Sequence, residues 1–355
     1  MNQNLYESLI KNKKILLLIC LIILIVVFVI YYFLFIKQDA SKEKPESNLL
    51  QEISKEIYVG NSSAKISKTR TRYLSADSTK ILEYDFSKGT EKEIYSLGNI
   101  KIDEVVWSSN MNYLIIHILQ DQNSYYKYIN LEKSESIKLN KNIKSITFSP
   151  EGDKIAYWYF DPAGNNTLSV ANSDGKEFKV LYVFPLDCKK VDLYWIKQNI
   201  YFFCSSSNTL FKIKADLSQS QAKEIYQGLF KIYPSLEGNF SLASKDNKLG
   251  IFDTKKDLFT EINVTVYIKS FYYIDTKYII VSAARAPDAY ATLIYLINLD
   301  NKKINEIPTQ FNCKGPCAGL GYDLQNLFYN KSTKELYLTF RSSLFKIKLD
   351  LDKYL

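Results

Sequence analysis

Few residues in this sequence have types and spacings suited to chemistry. His117 is the single histidine, and it sits in the apolar run LIIHIL. A packed or half-exposed strand residue is a simpler reading of it than a catalytic base or metal ligand. A serine hydrolase would need a Gly-x-Ser-x-Gly elbow followed by a histidine, and no such elbow occurs. No EF-hand loop, phosphate loop or zinc spacing is found either. No catalytic residue, metal site or cofactor is therefore expected. Cys20 lies in an apolar stretch, whereas Cys188, Cys204, Cys313 and Cys317 form an even set that suits an oxidising compartment. Four cysteines allow three pairings. Three residues separate Cys313 from Cys317, one more than in a redox motif, so a local disulfide or loop staple is expected there rather than catalysis. Lys68, Arg70 and Arg72 alternate and so share one strand face. They read either as an anion site for an acidic protein or envelope polymer, or as a solvated face.

The composition says what must carry these residues. Of 355 residues, 46% are hydrophobic, 24% charged and 14% aromatic, with 28 tyrosines, a balance that excludes a disordered chain and favours β-structure. Residues 15–36 read ILLLICLIILIVVFVIYYFLFI, with no charge. That length crosses a hydrocarbon core of ~30 Å as a helix. The run ends in Tyr31, Tyr32, Phe33 and Phe35 instead of the small residues of a cleavage site, which predicts an uncleaved anchor. Lys11, Lys13 and Lys14 precede it, and a large polar domain follows. The expectation is a cytoplasmic tail at 1–14, a transmembrane helix at 15–36, a polar tether at 37–54 and an extracytoplasmic domain at 55–355.

That domain is built from short apolar runs alternating with turns. Lys-Glu-Ile-Tyr recurs at 55–58, 92–95 and 223–226, each copy shortly before a glycine. A second element is a β-run, a tight polar turn and another β-run, clearest in ITFSPEGDKIAYWYF (146–160). A third is a strand ending in Asn or Asp before a turn, as in LINLDNKKINEI (296–307). Together they make four-stranded units recurring at roughly 40 residues, the period of a propeller blade. The expected fold is an all-β, seven-bladed β-propeller, with six or eight blades as alternatives. Blade starts are expected near 66, 100, 143, 188, 229, 264 and 319. The last unit has three strands, and KEIYVG (55–60) resembles an outer strand without inner ones. Adding it to the last blade would close the ring and remove an open edge.

The segments SITFSPEGDKIAYW and ANSDGKEFKVL resemble the TolB-type, WD-repeat-like propeller repeat, with Glu151 where that repeat usually has Asp. The resemblance is confined to the repeat and is best at 143–184. It implies protein–protein binding outside the cytoplasm, although fold does not fix function.

Strand order from the centre outward places the connections. First-to-second and third-to-fourth turns fall on one face, and these read as short. Second-to-third loops and blade crossings fall on the other, and these include 120–124, 160–166, 184–190, 284–291 and 308–323. Binding residues tend to sit on long loops of a rigid scaffold. Phe160, Asp161, Arg285, Asp288 and Tyr290 are the expected contacts, being aromatic and charged residues on the two longest second-to-third loops. Cys188 and Cys204 fall on the same face and are expected to pair. The tether, arriving at the short-turn face, would point the long loops away from the membrane. The functional expectation is a non-catalytic, membrane-anchored scaffold that binds a protein or envelope component and no nucleic acid. The rival is a propeller enzyme of the lyase, lactonase or cyclotransferase kind that works through carboxylates.

Overall fold

The computed structural model describes residues 51–54, 64–67, 69–75, 77–120, 123–185, 187–216, 221–235, 239–246, 248–262, 264, 266–286, 293–307, 324–340 and 343–354. They form seven four-stranded antiparallel sheets, each with its strands in sequence order except the last. The first blade is β2 (Ala64–Ile66), β3 (Arg70–Leu74), β4 (Lys80–Asp85) and β5 (Thr90–Ser96). The second is β6 (Lys101–Trp107), β7 (Tyr113–Gln120), β8 (Asn123–Asn130) and β9 (Glu135–Lys138). The third is β10 (Ile143–Phe148), β11 (Lys154–Phe160), β12 (Asn166–Asn172) and β13 (Lys179–Val183). The fourth is β14 (Val191–Ile196), β15 (Asn199–Cys204), β16 (Thr209–Lys214) and β17 (Lys223–Gln227). The fifth is β18 (Phe230–Tyr233), β19 (Phe240–Lys245), β20 (Lys248–Asp253) and β21 (Leu258–Glu261). The sixth is β22 (Tyr267–Tyr273), β23 (Tyr278–Ala284), β24 (Leu293–Asn298) and β25 (Ile304–Ile307).

The seventh blade takes β26 (Leu324–Asn330), β27 (Glu335–Phe340) and β28 (Ser343–Lys348) from the end of the chain. Its outer strand is β1 (Gln51–Ser54), antiparallel to β28 with Gln51 opposite Lys346. The ring therefore closes as the sequence implies, but with a different segment. The closing strand lies within the stretch read as tether, and the expected segment 55–60 lies outside the described residues. The apolar Ile53 sits in a strand-compatible run as readily as Ile57, and nothing local separates the two.

The turns follow from side-chain chemistry. At the third-to-fourth turns the strand-ending residue folds its own turn by accepting from backbone N–H groups two and three residues on. Asn130 Oδ1 accepts from Glu132 and Lys133, Asp253 Oδ1 from Lys255 and Lys256, and Asn298 Oδ1 from Asp300 and Asn301. The Ser-Pro-Glu-Gly turn works through Ser149, whose Oγ accepts from the backbone N–H groups of Gly152 and Lys154. Gly152 has φ 82°, and a Cβ there would lie 3.0 Å from Ser108 Cβ in the neighbouring blade.

Seven apolar clusters hold the ring, one per junction between successive blades. Sheets buried on both faces explain strands such as β23, whose residues from Ile279 to Ala284 are all buried. The cluster of Tyr73 and Leu82 with Phe328, Tyr337 and Leu344 joins the first blade to the seventh, so closure is made by packing as well as by β1.

The parity of the faces is as expected, but the lengths are not cleanly sorted. Only two residues separate Gln120 from the start of β8, and Gln120 pairs with Asn123, so the loop expected at 120–124 is a short hairpin connection. Conversely, eight residues join β16 to β17 on the face expected to carry only short turns. Residues 15–36 lie outside the described residues. Among the described residues no helix is long and apolar enough to cross a membrane.

Candidate binding surfaces

On the long-loop face, β11 delivers Phe160 and Asp161 to the loop before β12. Phe160 is half-buried against the cluster between the third and fourth blades, its ring centroid 6.0 Å from that of Trp158. Asp161 is engaged by its own loop. Its carboxylate accepts from the Asn165 backbone N–H at 3.0 Å, from Asn165 Nδ2 at 2.8 Å and from the Tyr159 hydroxyl at 3.3 Å. Those donors, led by the Asn165 side chain, hold its carboxyl below the usual range. Arg285 follows β23 and is exposed. Asp288, Tyr290, Cys313 and Cys317 lie outside the described residues.

Cys188, in the crossing from β13 to β14, stands at disulfide distance from Cys204 at the end of β15, with Cα atoms 5.8 Å apart. Both are buried in the cluster between the third and fourth blades. Sequence parity placed them together because a crossing and the end of a second strand open onto the same face.

The alternating basic residues of β3 serve neither as an anion site nor as a solvated face. Arg72 is 8% exposed; its Nε donates to Glu83 Oε2 at 2.8 Å and its guanidinium to the Met111 carbonyl at 2.7 Å in the next blade. Arg70 and Lys92 reach the same carboxylate at 3.3 and 3.0 Å. Burial works to raise the Glu83 carboxyl, but hydrogen bonds from Arg72 and Lys92 outweigh it and hold the group below its ordinary range. Lys68 lies outside the described residues. His117 is likewise structural, stacked on Tyr126 at 4.5 Å with Nδ1 3.0 Å from Asp103 Oδ2. Tyr126 donates to Glu104 on the innermost strand β6, whose carboxyl burial pushes up. Among the described residues no group of His, Cys, Asp and Glu is arranged to hold a metal ion.

A feature that loop length does not reveal lies on the short-turn face. A groove of about 610 Å³ runs between the fourth and fifth blades. Its floor includes Ile196 and Ile213, and its walls carry Lys197, Lys212, Lys214, Lys223 and Lys255. Among the described residues of the lining, Asp257 is the one carboxylate. It stands in the turn between β20 and β21 at φ 54° and ties the fifth blade to the fourth. Lys212 Nζ meets Oδ1 at 2.8 Å and Lys223 Nζ meets Oδ2 at 3.3 Å. The Tyr201 hydroxyl donates to Oδ1 at 3.3 Å, and the Tyr226 hydroxyl to the Asp257 carbonyl at 3.1 Å. Burial, then the Asp257 charge, pushes the Tyr201 phenol far up, so the hydroxyl remains a donor. Beneath lie Tyr201, Phe230 and Phe252, packed edge to face. The sequence signal for this site was available: lysines recur at the ends of β14, β16 and β20, and strand pairing brings those ends to one face.

No family model matches the chain, and no curated protein sequence matches it. Solved structures do resemble it. The C-terminal WD40 domain of Sif2 aligns at TM-score 0.52 and 12% identity, covering 86% of this chain and 85% of that one. The β-propeller domain of Myceliophteria thermophila Cps50 (Swd1) aligns at TM-score 0.56 and 11% identity, covering 84% of this chain and all of that one. A prolyl endopeptidase aligns at TM-score 0.55 and 11% identity over 81% of this chain, which spans 47% of the endopeptidase's length. At these identities the likeness shows the β-propeller fold, which this chain shares with WD40 domains and with the endopeptidase.

Proposed function

We propose that the chain is a non-catalytic scaffold whose propeller is held at a membrane by residues 15–36, faces the extracytoplasmic side, and binds a protein or envelope component. The observation that carries the binding role is the closed seven-bladed ring. Its two ends are joined in one sheet and by a packed cluster, which gives a stiff platform with turns on both faces. The WD40 neighbours support a scaffold at the level of fold, and the TolB-type resemblance of residues 143–184 supports an envelope setting. The uncharged run at 15–36 supports the anchor. The buried pair Cys188 and Cys204 suits an oxidising compartment. Of the loop residues expected to touch a partner, Arg285 is exposed, whereas Asp161 is committed to its own turn.

A second reading, carboxylate chemistry, rests on Glu104 and its raised carboxyl beside Tyr126. The endopeptidase likeness lends it no residues, because no Gly-x-Ser-x-Gly elbow is present.

The test is purification of the tagged full-length chain from gently solubilised membranes, repeated with the tag on the recovered partner. Reciprocal recovery of one protein is the expected result. A bound small molecule without a protein partner would favour the enzyme and sink the scaffold. External protease on intact spheroplasts should digest the propeller or its tether. Protection until lysis would reverse the orientation.

A further inference from the structure

Among the described residues, the groove between the fourth and fifth blades holds more positive charge than its ion pairs take up. Asp257 takes up Lys212 and Lys223. Lys197 donates at 2.8 Å to Asn239 Oδ1, a neutral acceptor that leaves its charge uncompensated. Lys214 and Lys255 are exposed, and among the described residues no salt bridge ties Lys197, Lys214 or Lys255. Three ammonium groups from three elements thus border one open trough: the turn after β14, the end of β16 and the turn after β20.

We propose that this groove binds an extended acidic peptide segment of a partner protein. The proposal rests on the scaffold reading and names the chemistry of its partner. The charges are spread along the walls from two blades, an arrangement that matches carboxylates distributed along a chain. Gln198, Asn199, Gln221 and Asn239 line the same groove, and their side-chain amides offer both donors and acceptors to a peptide backbone. The volume, about 610 Å³, falls within the ~300–1,000 Å³ of typical ligand clefts. A long uniform polyanion fits less well. The adjoining hollow between the third and fourth blades shares Lys197 and Gln198 and adds one lysine, Lys154, against three carboxylates, Glu151, Asp153 and Asp216. Negative charge running past Lys197 meets those carboxylates, so a short acidic segment is accommodated and a continuous polyanion is repelled.

The experiment is fluorescence anisotropy of a labelled alternating Glu-Ala peptide with the full-length chain in neutral-detergent micelles. One variant carries Lys197→Gln, Lys214→Gln and Lys255→Gln. A charge-matched control carries Lys88→Gln, Lys133→Gln and Lys302→Gln, in turns of other blades on the same face. Saturable binding is expected, weakening as salt rises, with a loss of roughly tenfold in the groove variant and under about twofold in the control. Absence of saturable binding, or equal loss in both variants, would overturn the proposal. Tighter, groove-dependent binding of inorganic tripolyphosphate than of the peptide would also overturn it, in favour of a phosphate site. A partner still recovered from membranes by the groove variant, as by wild type, would leave the scaffold reading standing and remove the groove from it.

Discussion

Two basic clusters in this ring meet opposite fates. On β3, Arg70 and Arg72 turn toward Glu83 and the next blade, and Lys92 closes the same carboxylate from its other side. Every one of these cations is tied to that one carboxylate. Between the fourth and fifth blades, Asp257 consumes two lysines and three remain on the groove walls. The sequence makes the first cluster conspicuous, as Arg-x-Arg on one strand, and leaves the second inconspicuous, because its lysines are far apart in the chain. Spacing marks residues that share a face. Whether that face meets a carboxylate or solvent is decided by neighbouring strands, and that decides between structure and binding.

The sharpest way to break this contrast is to remove Glu83. Glu83→Ala leaves the buried Arg72 guanidinium without its carboxylate, and breaking such a pair costs about 3–5 kcal/mol. Denaturant unfolding of the full-length chain should register that loss; a change under about 1 kcal/mol would mean the cluster is not structural. The same carboxylate predicts a pH response. Its folded-state affinity for protons is depressed, so its contribution is present above its ordinary range and is lost as pH falls through the lower folded value. The wild type should therefore lose stability on acidification more steeply than Glu83→Ala.

The junction between the third and fourth blades supplies a comparison without charge. A bond between Cys188 and Cys204, 16 residues apart, is worth ~3 kcal/mol by loop closure. Cys188→Ser should lower stability by that order under oxidising conditions, and unreduced peptide mass spectrometry should show the cross-link. Free thiols at both positions would refute it.

Asp257→Asn sharpens the contrast from the groove side. It removes the ion pair to Lys212, whose side chain is 18% exposed, and leaves the hydrogen bond from Tyr201 possible. A loss of about 1–2 kcal/mol is expected, smaller than at Glu83 because water reaches the lysines. Acidic peptide binding should hold or tighten, since a negative charge leaves the groove. Weakened binding would mean that Asp257 shapes the site more than it screens it.

The smallest effects are expected on the opposite face. Arg285→Ala should leave stability unchanged within about 0.5 kcal/mol and, if the long loops contribute to the partner, cost about 1 kcal/mol in its binding. Phe160→Ala should instead cost stability, since its ring packs against the cluster beside Trp158.

Much of the fold was legible in the sequence because a propeller repeats its local chemistry. The Asn and Asp residues that end third strands, and the Ser149 turn, are short-range devices visible in the chain itself. Closure was legible in principle, through a last unit with three strands. Its exact segment was not, since a four-residue strand such as β1 carries too little period to be placed. The approach of Cys188 to Cys204 was legible because a crossing and a second-strand end open onto one face, although parity by itself leaves the pairing of four cysteines open. The groove was legible only in part: strand order puts the lysines of two turns and one strand end on one face, but their convergence depends on a junction whose packing comes from Tyr201, Phe230 and Phe252. Loop length was an unreliable guide, as the two-residue connection after Gln120 and the eight-residue connection after Lys214 both demonstrate.

The contrast between consumed and unconsumed charge is tested most directly by lysine footprinting. The full-length chain is labelled with an amine-reactive reagent, with and without the alternating Glu-Ala peptide, and the modification rate at each lysine is read by mass spectrometry. The predicted result is slowed labelling at Lys197, Lys214 and Lys255, with rates at Lys88, Lys133 and Lys302 unchanged. Uniform slowing across the face, or slowing confined to lysines outside the groove, would contradict the account.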